Sequence, residues 1–252
     1  MAAAPKATHA GMPRLADSPL DLLTFRAQTR IELLSALDGV PAPAPSRAPA
    51  FRGAAPAAVG TGGHALVLDP SLSGPLGLVA EVKEFKEHGV EKIYHLLPGE
   101  LATDCTSVVY FIRPELRLTA QVVAQIRAHE KARGRGEASR AYTLFFVPRR
   151  SMLCEKVLED EGVYPLIRVR ECALPCFVLE DDVLSLEAPS SCFKELFLDG
   201  DRTVLHTCAA ALSRVQALFG RVPIVRGKGE CSQVAVKLTQ QMLSALIASD
   251  SF

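Results

Sequence analysis

Two patterns of hydrophobic and polar positions divide the chain. Between 64 and 176, short apolar runs alternate with longer stretches whose apolar residues return every three or four positions. The runs 65–68, 92–96, 108–112, 143–147 and 166–169 have the length and β-branched content of buried parallel strands. The stretches 76–88, 117–132 and 152–161 have helical periodicity. Strand and helix in alternation specify an α/β domain, and right-handed crossovers favour a doubly wound five-stranded parallel sheet of order 2-1-3-4-5 with helices on both faces.

The flanks follow other patterns. Residues 1–17 are small, polar and Pro-containing, so this stretch is expected to be disordered. A helix of the first domain is expected within 18–39: Ser18 suits an N-cap, Pro19 the first helical position and Asp21 a capping-box acid. Leu20, Leu23, Ile31, Leu34 and Leu37 form its expected buried stripe. The stretch 40–63 is dominated by Ala, Pro and Gly and reads as a flexible insertion before the sheet domain of 64–176. Beyond 176 the alternation stops. An extended piece with acids at 177–187 precedes a helix at 202–219, with Val204, Leu205, Cys208, Ala211, Leu212, Val215, Leu218 and Phe219 on one face and Gly220 as its carboxyl cap. A further helix at 232–248 carries Val234, Val236, Leu238, Met242, Leu243, Leu246 and Ile247. Two amphipathic helices without a sheet predict that 177–252 is the truncated opening of a second domain, with an exposed apolar patch.

Charge and cysteine usage narrow the class. The 28 Lys and Arg cancel the 28 Asp and Glu, so no net field draws the chain to nucleic acid or to an anionic bilayer. Locally, 113–150 carries a net +6 and 180–201 a net −6. Seven cysteines, odd in number and irregularly spaced, favour reduced thiols and a cytosolic protein. No stretch reaches the ~18 apolar residues of a membrane-spanning helix.

A search for chemistry leaves little. The first strand-to-helix turn contains Gly74 and Gly77 at the wrong spacing for a dinucleotide fingerprint, and Pro70 and Pro75 each remove an amide that a phosphate would use. The loop from Arg226 through Gly227, Lys228, Gly229, Glu230 and Cys231 to Ser232 matches neither a Walker loop nor a Rossmann turn. Cys172 and Cys176 lack a second ligand pair, the six histidines form no HxxxH or HxH pair, and Asp181 and Asp182 look like a solvated loop. No catalytic residue, cofactor site or metal ligand is identified. What remains is positional. Arg113, Arg149 and Arg150 follow the third and fourth strands at the carboxyl edge of the sheet, where open α/β proteins bind ligands and guanidiniums suit carboxylates or phosphates. Capping of backbone carbonyls is an alternative role for the same side chains. Lys131, Arg133, Arg135 and Arg140 belong to the opposite edge.

Seven strings, in order, carry a resemblance: LSGPLGL at 72–78, FKEHGVEK at 85–92, VVYFIRP at 108–114, FVPRRS at 146–151 followed by Cys154 and Glu155, DDVLSLE at 181–187, LDGD at 198–201 and GKGEC at 227–231. Together they resemble the class C vacuolar protein sorting branch of the Sec/Munc, or SM, family, in its amino-terminal portion. The resemblance implies a non-enzymatic regulator of vesicle docking and fusion that binds SNARE proteins and works with the other class C subunits of the HOPS and CORVET tethering complexes. It also implies indirect, partner-mediated association with endosomal, vacuolar or lysosomal membranes. Two departures from the family pattern are the long 40–63 insertion and the absence of the helical third domain that supplies much of the SNARE groove. The rival reading is a flavodoxin-like nucleotide-binding enzyme, separable by titration with nucleotides and flavins.

Overall fold

The computed structural model describes residues 20–41, 63–133 and 140–249. The expectations for 1–17, for Ser18 and Pro19, and for most of the 40–63 insertion lie outside the described residues. The chain forms two compact units, Ala27–Leu174 and Met1–Arg26 with Pro175–Phe252.

In the larger unit, β1 (His64–Leu68), β2 (Val90–His95), β3 (Ser107–Ile112), β4 (Ala141–Phe146) and β5 (Ile167–Glu171) pair in parallel in the order β2-β1-β3-β4-β5. The expected strands hold with ends moved by no more than two residues. Their expected burial holds only for the inner three: β1 and β3 are buried throughout and β4 from its second residue, whereas β2 and β5 are largely open. An edge strand has a neighbour on one side only, so Glu91, Lys92 and Arg168 can reach water there and also discourage further pairing.

Alternation along the inner strands sends Ala65, Val67, Val108, Tyr110, Ile112, Tyr142, Leu144 and Phe146 to one face. There they pack with Leu118, Val122, Val123 and Ile126 of α4 (Leu116–Ala132) and with Cys154 and Leu158 of α5 (Met152–Asp160). Burial holds the Tyr110 phenol strongly in its neutral form. Phe111 and Phe145, one residue out of phase, stack at 4.6 Å on the other face.

A single helix expected at 76–88 is two, α2 (Pro70–Val79) and α3 (Val82–Glu87). The first begins early because Asp69 caps it and Pro70 occupies its opening turn. The break falls at Ala80 (φ −139°, ψ 142°), after which Glu81 and Glu84 form a reciprocal capping box. Within the same unit the part of α1 (Leu22–Asp38) from Ala27 onward is tied to these helices by Arg30, which donates to Val79 O and to Glu84, each at 3.1 Å, and by Asp38, 2.6 Å from His88 Nδ1.

The buried stripe of α1 differs from the expected one. Leu22, Phe25, Thr29, Leu33 and Leu37 are buried, while Leu20, Leu23 and Ile31 are exposed. The buried set repeats at spacings of three and four without a gap, which one helix face requires; the expected set skips the whole turn around Gln28. Asp21 caps the helix, accepting from Leu23 N at 3.0 Å and Thr24 Oγ1 at 2.6 Å.

The smaller unit contains a hairpin of β6 (Phe177–Glu180) and β7 (Val183–Ser185), where one extended piece was expected, and α6 (Cys192–Phe197), for which the sequence carried no clear periodicity. Its helices α7 (Thr203–Phe219) and α8 (Glu230–Ser249) pack together. The buried face of α7 includes Leu205, Ala209, Ala211, Ser213, Gln216 and Phe219, while the expected Leu212 and Leu218 are exposed. Small and polar side chains win this contact because the helices approach closely, with Ser213 Oγ 3.4 Å from Thr239 O of α8, and because each hydroxyl is satisfied within its own helix, Ser213 Oγ donating to Ala209 O at 2.8 Å and Thr239 Oγ1 to Ala235 O at 2.8 Å. Gly220 caps α7 at φ 101°, as expected. Leu22, Phe25, Cys176, Val178, Ala211 and Phe219 form the core of this unit, with the Arg214 guanidinium 5.3 Å from the Phe25 ring centre. Burial raises the Cys176 thiol to about 11, so it behaves as a small apolar side chain.

Two expectations about stability follow. Leu144 is fully buried at the centre of β4, so Leu144→Ala should lower the unfolding free energy by about 2 to 5 kcal/mol in urea titration. Burial holds His64 and His129 below the ordinary histidine value of about 6.5; His129 Nδ1 lies 2.7 Å from the Tyr142 hydroxyl, facing Glu130, Arg133 and Arg140. A base kept neutral in the fold costs nothing above that value. Below it the unfolded chain binds the proton first and stability falls. Unfolding free energy should therefore decline from pH 7.5 to 5.5, and His129→Asn should flatten that decline.

Candidate functional site

The carboxyl edge of the sheet is built from four strand ends, and each is tied to its neighbour. Asp69, 3% exposed at the end of β1, donates its amide to Phe111 O at 2.9 Å and accepts the Arg113 amide at 3.4 Å. Its carboxylate also accepts Ser71 N at 2.9 Å and Ser71 Oγ at 2.8 Å. One side chain therefore starts α2 and joins the ends of β1 and β3. At the other side, Val147 N donates to Ile112 O at 2.9 Å, Cys172 N to Phe146 O at 3.0 Å, and Arg150 N to Glu171 at 3.0 Å. The Val147–Pro148 peptide is cis.

Arg113, Arg149 and Arg150 thus share one edge, but they are not equivalent. Arg150 donates through Nε to Glu155 at 2.8 Å and through Nη2 to the second carboxylate oxygen. This two-point bond lowers the Glu155 acid and raises the guanidinium further above its ordinary range, so the pair is charge-neutral at any physiological pH. Neither Arg113 nor Arg149 takes part in an ion pair among the described residues. Directly after them, Met152 and Leu153 are 89% and 71% exposed at the start of α5. The edge therefore presents two available cations beside an apolar step.

Three residues at this edge were missed by sequence reasoning. Asp69 had a signal, since an Asp-Pro-Ser string after a strand is a helix start. Glu155 lies only five residues beyond Arg150, in the first turn of α5, whereas Glu171 had no signal because tertiary placement brings it from β5 to the Arg150 amide.

At the opposite edge Arg133 pairs with Glu130 at 3.2 Å and Arg140 donates to Thr103 O. Arg135 lies outside the described residues. The two decoy loops are likewise occupied. The amino end of α2, where a phosphate would sit, holds the Asp69 carboxylate, and Gly74 and Gly77 lie inside the helix. In the second loop Gly229 has φ 87° and Ser232 Oγ donates back to Lys228 O at 2.6 Å, making a turn that enters α8. Among the described residues no group of three or more His, Cys, Asp and Glu side chains is placed to hold a metal ion, and no helix is long and apolar enough to cross a membrane.

Comparison with known proteins agrees with this architecture. Vacuolar protein sorting-associated protein 33A of Rattus norvegicus is 38% identical over 183 residues, covering 72% of this chain and 30% of that protein. The vacuolar protein-sorting-associated protein 33 homolog of Arabidopsis thaliana is 32% identical over 233 residues, covering 92% of this chain and 35% of that protein. The chain thus spans about a third of the length of these relatives. Among solved structures, the Unc18–syntaxin 1 complex from Monosiga brevicollis superposes with a TM-score of 0.60 at 14% identity, over 92% of this chain and 37% of that one. The SM protein Vps45 in complex with the Qa SNARE Tlg2 gives 0.56 at 15% identity, over 89% and 36%. These likenesses show a shared fold. Residues 64–252 match the model of the Sec1 family, and with relatives at this level of identity the chain belongs to that family.

Proposed function

We propose that this chain is part of an SM-type, non-enzymatic regulator of vesicle docking and fusion that binds SNARE helices through the carboxyl edge of its sheet. The observation that carries the reading is the pairing of two uncommitted guanidiniums, Arg113 and Arg149, with the exposed Met152 and Leu153. An amphipathic helix with acids flanking an apolar face complements that combination. Support for the class of partner comes from the structural neighbour described as bound to a Qa SNARE. The vacuolar protein sorting names of the relatives support action at endosomal, vacuolar or lysosomal membranes, reached through partners, and work beside other class C subunits of tethering complexes belongs to the same reading. Residues 177–252 are, in this reading, the opening of a second domain. The nucleotide-enzyme alternative loses its phosphate position to Asp69.

Arg150 acts by position. It holds the start of α5 through Glu155 and leaves contact with a partner to its neighbours.

Binding of a purified Qa-SNARE cytosolic domain, measured by calorimetry at several salt concentrations, tests this division. Arg113→Glu with Arg149→Glu should raise Kd about 10-fold or more and flatten its salt dependence. Arg150→Ala should lower Tm and change affinity less. Unchanged affinity in the folded double variant removes the edge from the binding surface.

A further inference from the structure

At the amino-terminal edge of the sheet the opening residues of β1 and β3 each carry a buried polar atom with no hydrogen-bond partner among the described residues, as does Thr106 just before β3. His64 opens β1 at 8% exposure and Ser107 opens β3 at 0%. Nδ1 of His64 and Oγ of Ser107 are both buried and unbonded. Native cores rarely leave one such atom unmatched, because desolvating a polar group without a replacement hydrogen bond is costly.

Their placement relates them. His64 and Ser107 are register partners in the β1/β3 ladder. Partners on adjacent strands project to the same face. Ala65 and Val108, the next residues, both enter the core beneath α4 and α5, so His64 and Ser107 lie side by side on the other face. The orientation of the ring agrees. A Cβ placed on Gly89 would lie 3.4 Å from His64 Cδ2 and 3.8 Å from Nε2, so that edge of the imidazole faces the β2 side. The Nδ1 edge is left toward β3, where Ser107 stands.

We propose that one ordered water molecule bridges His64 Nδ1 and Ser107 Oγ and fixes the register at the start of β1 and β3. Water fits better than an ion. Burial keeps the imidazole neutral, the hydroxyl is uncharged, and water can donate to one atom while accepting from the other, whichever tautomer His64 adopts. The site also has a structural use. The β1/β2 register shifts between His64 and Ala65, where the His64 amide donates to Gly89 O at 2.8 Å. A bridge to β3 adds a hold on the other side.

A high-resolution crystal structure of the 252-residue chain should show a solvent peak about 2.7 to 3.2 Å from both atoms. A direct Ser107–His64 bond, or no density between the two, overturns the proposal. Thermal unfolding gives an independent reading. Ser107→Ala should lower Tm by about 2 to 6 °C, and combined with His64→Leu it should cost less than the sum of the two. If the two atoms are merely unmatched, Ser107→Ala removes a desolvated hydroxyl and Tm stays level or rises. That result also contradicts the bridge. Should Ser107→Ala fail to fold, the density in the unsubstituted chain decides.

Discussion

The parallel sheet imposes the constraint from which the larger unit follows. β1, β3 and β4 have a hydrogen-bonded neighbour on both sides and are buried along nearly their whole length, so few positions on them can be polar. Every backbone group that emerges at the carboxyl ends must then find a partner within a residue or two. Asp69 meets that demand between β1 and β3, and Glu171 meets it between β5 and the loop after β4. The same bonds that close the sheet therefore set the positions of Arg113, Arg149 and Arg150.

That economy explains why a doubly wound sheet here does not present a phosphate site. In an open α/β fold the first strand-to-helix turn is available to a ligand only if its amides are free. Here a carboxylate belonging to the chain fills the place, and it cannot leave without releasing both α2 and the β1–β3 junction. The proposed partner site lies further along the edge, after the third and fourth strands. Glu155 neutralises one of the three arginines and leaves two half-buried ones without an ion-pair partner among the described residues, on the edge that also carries the exposed Met152 and Leu153.

Much of this was legible in the sequence, and the reasons it stopped being legible are local. The five strands and their order were readable because inner strands of a parallel sheet must be apolar runs, and crossover handedness leaves few topologies. The edge character of β2 and β5 was not, since a run such as Val90 to His95 reads the same with one neighbour or two. In α1 and α7, counting apolar residue types misplaced the buried face. Thr29, Ser213 and Gln216 are buried where leucines at neighbouring positions are not, because spacing and close helix approach outrank side-chain type. The three arginines were correctly placed on one edge by strand position alone. Their inequality was invisible, because it depends on Glu155 and Glu171 arriving from separate elements.

In the proposed reading, partner recognition belongs to the carboxyl edge and the amino edge serves the fold. Hydrogen exchange with and without a Qa-SNARE cytosolic domain reads both edges in one measurement. The account predicts slowed exchange on binding in peptides spanning 112–117 and 147–155, with 88–92 and 105–108 unchanged. Protection confined to the amino-edge peptides, with the arginine loops unaffected, would contradict it.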